Sequence, residues 1–97
     1  MTPGASAPDL GPVLEANDSG RAVVAAIVAQ NPGARIQDRG AYLRVSVPGR
    51  CIVTRSAIEA ELGRKLDWPG GLELVMPAFQ GLLSLDDERA EWRLERR

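Results

Sequence analysis

The segment Ser19 to Gln30, SGRAVVAAIVAQ, is bounded at both ends by residues that fix the length of a helix, and this sets the terms for everything around it. Asn17, Asp18 and Ser19 can each accept a hydrogen bond from the orphan amides of a first helical turn. Val23, Ile27 and Gln30, and likewise Val24 and Val28, recur at helical spacing, and the alanines between them decide for helix over strand. Asn31, Pro32 and Gly33 then stop the helix, because Pro32 has no amide hydrogen and Gly33 tolerates positive φ. The uninterrupted apolar run, Ala22 to Ala29, is eight residues long. A membrane-spanning helix needs about 20, so nothing here spans a bilayer and this helix packs on other protein.

Strand patterns lie on both sides of it. Residues 1–9, rich in Pro, Gly, Ala and Ser, are expected to form a mobile tail, and residues 10–97 one domain. Leu10 to Glu15 suits a first strand, with Pro12 favouring a sheet edge because it lacks a donor. After the helix, residues 34–38 and 41–47 read as two strands joined at Arg39 and Gly40, with Ala41, Leu43, Val45 and Val47 facing inward and Tyr42, Arg44 and Ser46 outward. A turn at 48–50 leads to a strand at 51–54. Thr54 can cap a second helix over 55–62 that Gly63 ends, although Ser56 and Glu59 also fit a capping box.

Beyond a loop at 63–71, the alternation of Leu72, Leu74 and Met76 with Glu73 and Val75 predicts a strand that Pro77 interrupts. Gly81 permits a bend before a strand at 82–85, Asp86, Asp87 and Glu88 form an acidic turn, and residues 90–95 close the chain. The order is β-α-β-β-β-α-β-β-β. The class is α+β, with two helices packed on mainly antiparallel sheet.

Composition narrows the chemistry. Twelve basic and thirteen acidic residues give a net charge of −1, too little for a long-range pull on a polyanion. A single cysteine excludes an internal disulfide, and the first residues lack the basic and apolar regions of a signal peptide, so a cytoplasmic location is expected. There is no histidine, the side chain that most often carries protons near neutral pH, and catalysis is accordingly not expected. Zinc and iron sites would have only oxygen ligands to draw on, and the adjacent acids at 86–88 do not follow the alternating spacing of a calcium loop. Cys51 reads as a small buried residue. No cofactor, metal or nucleotide site is predicted.

The stretch RGAYLRV at 39–45 begins like the basic-Gly-aromatic signature of an RNA recognition motif, which keeps a small single-stranded RNA-binding domain open as an alternative. Position 41 is alanine and position 43 leucine where stacking aromatics would be needed.

Four segments taken together, GPVLEA at 11–16, NPGARIQDRGAYLRV at 31–45, VTRSAIEAELGR at 53–64 and LELVMPAFQGLLSLDDERAEWRL at 72–94, resemble the effector, or coupling, proteins of soluble bacterial diiron monooxygenases. The similarity is closest to the toluene and alkene monooxygenase type, without the long N-terminal extension of the methane enzyme's regulatory protein. What the resemblance implies is a cofactor-free, non-catalytic protein that docks on the diiron hydroxylase component. There it would tune turnover, the coupling of reductant use to hydrocarbon oxidation, and regioselectivity, in competition with a ferredoxin or reductase. No nucleic acid and no membrane is expected as a partner.

Residue types then mark candidate contacts. Tyr42, Arg44 and Ser46 project from one strand face, and Tyr and Arg are common binding hot spots. Pro77, Phe79 and Gln80 surround a strand interruption that could present a shaped loop, although a chain with four aromatic residues more often buries one such as Phe79. Asn31 is read first as the end cap of the helix and second as a contact. Trp68 and Trp92 are assigned to packing.

Overall fold

In the computed structural model, which describes residues 8–94, the elements run β1 (Asp9–Glu15), α1 (Asp18–Gln30), β2 (Arg35–Asp38), β3 (Tyr42–Pro48), β4 (Arg50–Thr54), α2 (Arg55–Leu62), α3 (Gly70–Leu74), β5 (Ala78–Gln80), β6 (Leu82–Leu85) and β7 (Arg89–Arg93). This is the expected α+β order with one short helix added. The strands make two antiparallel sheets: a first sheet ordered β2-β3-β1-β5 and a second ordered β4-β7-β6. The tail predicted over 1–9 lies outside the described residues as far as Ala7, and Asp9 already belongs to β1.

Both helix boundaries follow from side-chain chemistry. Asn17 Oδ1 accepts from Gly20 N at 2.8 Å, and Thr54 Oγ1 from Ala57 N at 3.2 Å. Gly63, at φ +79°, ends α2 in the left-handed region while its N–H donates to Glu59 O. Gly20 is required for a different reason: a Cβ there would sit 1.8 Å from the Glu15 carbonyl oxygen, so α1 can start this close to β1 only with glycine.

One core joins the layers. Leu10 and Leu14 from β1, Val23, Ala26 and Ile27 from α1, Val45 and Val47 from β3, Val53 from β4, Ile58 from α2, Leu72 from α3, and Ala90 and Trp92 from β7 are buried together. The radius of gyration, 13.0 Å, agrees with the about 13 Å expected for roughly 100 compact residues.

Three expectations are corrected. Pro12 is not at an edge: β1 is flanked by β3 and β5, and the missing donor is absorbed by a gap in the β1–β3 ladder, whose paired residues pass from Leu10↔Val47 to Val13↔Arg44. The predicted strand at 72–76 is instead α3 and its exit, because Leu72, Val75 and Met76 are the buried residues, at helical i, i+3, i+4 spacing, while Leu74 is 79% exposed. The extended segment begins at Ala78, six residues after the expected start, as β5. Ala41 is exposed rather than inward, since Arg39 N donates to Tyr42 O and the turn takes Ala41 out of the strand.

Candidate docking surface

The outer face of the first sheet is built by the alternation of β3. Leu43, Val45 and Val47 are buried, and Tyr42 and Arg44 are exposed on the other side with Ser46 half-buried. Register adds the neighbours. Arg44 stands between Gln37 of β2 and Val13 of β1, and Ser46 lies opposite Arg35. Gln80 of β5 pairs with Gly11, which puts no side chain between them. Asp9, Arg35, Gln37, Arg44, Ser46 and Gln80 consequently rim a solvent-open depression of about 430 Å³.

β5 forms the rim of that sheet. Glu15 N donates to Val75 O at 2.8 Å, so by strand alternation Gly11 and Val13 also turn their peptide groups toward β5. The N–H and C=O of Phe79, opposite Pro12, therefore point to the open side. All three residues of β5 are exposed. Phe79 is 42% exposed, contrary to its reading as core: paired with the buried Pro12 it projects from the core side of the sheet, but from the outermost strand. Pro77 is exposed just before it.

The candidate residues thus separate. Tyr42, Arg44, Ser46 and Gln80 share the outer face, whereas Pro77 and Phe79 stand at its β5 rim. Asn31 belongs to neither. It is 6% exposed, and its amide is fully used: Nδ2 donates to Ile27 O at 2.7 Å and to Ile52 O at 2.6 Å, and Oδ1 accepts from Ile52 N at 2.9 Å. Beside it, Gln30 Oε1 accepts from Thr54 N at 3.0 Å. The two amides pair with the free edge of β4 as another strand would, and so close the second sheet.

Gln37 and Leu74 were not foreseen. The hairpin register, which sets Gln37 opposite Arg44, was the available signal for the first; for the second it was the helical spacing of 72, 75 and 76.

The remaining polar chemistry is structural. Burial pushes the Cys51 thiol up to about 12, which keeps it protonated and unreactive. Asp86 is held below the ordinary carboxylate value by the N–H groups of Glu88 and Arg89, which its Oδ1 accepts at 2.8 and 2.9 Å. Glu59 is lowered first by the Leu66 N–H and then by the Arg55 guanidinium. Among the described residues, no group of three or more potential ligands is placed to hold a metal, and no helix is long and apolar enough to cross a membrane.

An α+β domain whose first sheet turns an open polar face to solvent offers a surface suited to binding. The MmoB/DmpM family model matches residues 9–93, and the chain belongs to that family, the one indicated by the four sequence segments. It is 36% identical over 85 residues to the alkene monooxygenase system effector subunit of Xanthobacter autotrophicus (strain ATCC BAA-1158 / Py2), covering 86% of this chain and 83% of that protein. To the phenol 2-monooxygenase stimulatory component DmpM of Pseudomonas sp. (strain CF600) it is 35% identical over 79 residues, covering 79% of this chain and 87% of that one. The fold is shared with a chain of the phenol hydroxylase–regulatory protein complex, at TM-score 0.79 and 24% identity over 90% of this chain and 99% of that one. It is shared also with the soluble methane monooxygenase regulatory protein B, at TM-score 0.68 and 18% identity over 90% of this chain and 65% of that one.

Proposed function

We propose that this protein is the effector of a multicomponent monooxygenase, a cytoplasmic, cofactor-free and non-catalytic component that binds the diiron hydroxylase. Family membership across residues 9–93, with relatives that are an effector subunit and a stimulatory component, carries the reading. Docking uses the outer face of the first sheet, through Tyr42, Arg44, Ser46 and Gln80, and the β5 rim at Pro77 and Phe79. The tyrosine and arginine supply large contact area and directional hydrogen bonds at little cost to the free fold.

The mechanism is differential binding. An effector favours the active hydroxylase conformation only to the extent that it binds that conformation more tightly, and a difference of about 1.4 kcal/mol shifts the equilibrium tenfold. Rate, coupling and site of attack change together because all three belong to the conformation selected. A ferredoxin or reductase that needs part of the same hydroxylase surface would compete.

The test is to titrate the purified protein into its hydroxylase with the electron-transfer components and follow product formed per reductant consumed. A rise in rate or in coupling is expected, and an unchanged rate and coupling would overturn the proposal. The RNA-binding alternative required a row of stacking aromatics on the exposed sheet, and that face carries Tyr42 alone.

A further inference from the structure

We infer that the depression on the first sheet is a receptor for one carboxylate side chain, an aspartate or glutamate presented by the hydroxylase, with Arg44 as its anchor; this rests on the effector reading above. Its lining divides into matched and open groups. Arg35 and Asp9 form an ion pair with each other. Gln37, Arg44, Ser46 and Gln80 make no side-chain hydrogen bond within the molecule among the described residues, although all four face the same 430 Å³ space.

Among the described residues Arg21, Arg39 and Arg64, like Arg44, make no internal side-chain hydrogen bond or ion pair, but of these four unmatched arginines only Arg44 lines the depression. Arg50 and Arg89 reach Glu91, Arg55 reaches Glu59, and Arg93 donates to Ser84 Oγ at 3.3 Å. Arg44 instead has a neutral glutamine and a valine as its two cross-strand neighbours. A guanidinium presents a planar fork that matches a carboxylate with two parallel hydrogen bonds. Gln37, Ser46 and Gln80 surround it with neutral donors for the lone pairs that the fork leaves over.

Asp9 decides the class of anion. Its carboxylate stands in the same depression and neutralises Arg35, so the site offers one unmatched positive charge beside a fixed negative one. That charge balances a singly charged carboxylate and leaves about half of a doubly charged phosphate uncompensated. The site is also too open to hold a free small acid, which needs a pocket that buries most of its surface. A side chain carried by a protein gains its remaining contacts from Tyr42, 46% exposed two residues along the same strand face, and from the β5 rim.

The experiment measures binding of the dye-labelled full-length protein to its hydroxylase by fluorescence anisotropy at low and high salt. It compares wild type with Arg44→Glu, Arg44→Lys, Asp9→Asn and Arg64→Glu, after thermal melts establish equal folding. Arg44→Glu is expected to weaken binding by about tenfold or more at low salt and by less at high salt, where exposed charges are screened. Arg44→Lys should retain part of the affinity, and Asp9→Asn should tighten binding by freeing Arg35. Arg64→Glu, the same charge change on an exposed residue after α2, should bind as wild type. If wild type binds and Arg44→Glu binds equally well, or if Arg64→Glu is weakened as much, the carboxylate receptor is refuted and the effector reading stands. If wild type neither binds nor alters turnover, the effector reading fails and takes the receptor with it.

Discussion

On the second sheet the polar groups answer one another: Arg50 and Arg89 both reach Glu91, Arg93 donates to Ser84, and the free edge of β4 is filled by the amides of Gln30 and Asn31. On the first sheet Arg44 faces neutral neighbours, and β5 leaves the Phe79 peptide group unshared. Both sheets rest on the same core, so the contrast arises at the surface. A group matched inside the molecule adds to stability and has nothing left for a partner. One left open is satisfied by water at little cost and can exchange that water for a contact. Stability and recognition are therefore expected to separate when the two sheets are mutated.

The largest effect should come from beneath both. Trp92→Ala empties the fully buried centre of β7 and is expected to cost about 3–5 kcal/mol in urea unfolding. A smaller loss would mean that the sheets stand more independently than their shared core indicates. Next, Asn31→Ala orphans the N–H and C=O of Ile52 and should cost about 2–3 kcal/mol. At temperatures where the variant stays folded, hydroxylase affinity should be unchanged; a loss of affinity without loss of stability would reassign Asn31 to the interface.

The opposite pattern is expected on the open side. Tyr42→Ala and Phe79→Ala should each alter stability by no more than about 0.5 kcal/mol, yet weaken hydroxylase binding by about tenfold in the anisotropy assay. A large drop in melting temperature for either would reassign that residue from partner contact to the core. The smallest effect concerns the turns. Asp86 and Glu59 lie below their ordinary values of 3.8 and 4.5 in the folded protein, so in acid the unfolded chain binds protons first. Their contribution is complete above those ordinary values and disappears as pH falls through the lowered ones. The urea midpoint should therefore be lower at pH 3 than at pH 7, and Asp86→Asn should flatten that dependence.

Much of this could be read from residues alone where local chemistry decides. Asn17 and Thr54 specified helix starts through side-chain hydrogen bonds, and Gly63 a helix end because the lack of a Cβ permits its positive φ. The inward set Leu43, Val45 and Val47 followed from a period of two. What was not legible depended on distant neighbours. Pro12 reads as an edge residue until β5 arrives from the far end of the chain to cover its strand, and LELVM satisfies strand alternation as well as a short helix until burial chooses 72, 75 and 76. The candidate site shows the same division. Tyr42 and Arg44 share a face by alternation alone, but Gln37, Asp9 and Gln80 join them only through strand pairing.

The outward turn of the Phe79 peptide group also gives the molecule a natural reporter. An amide that donates to no strand should exchange its proton with solvent far faster than the laddered amides of Gly11 and Val13 across from it. Without any label or substitution, the slowing of that single proton would then tell whether the β5 rim is covered, and separate contact there from contact on the sheet face alone.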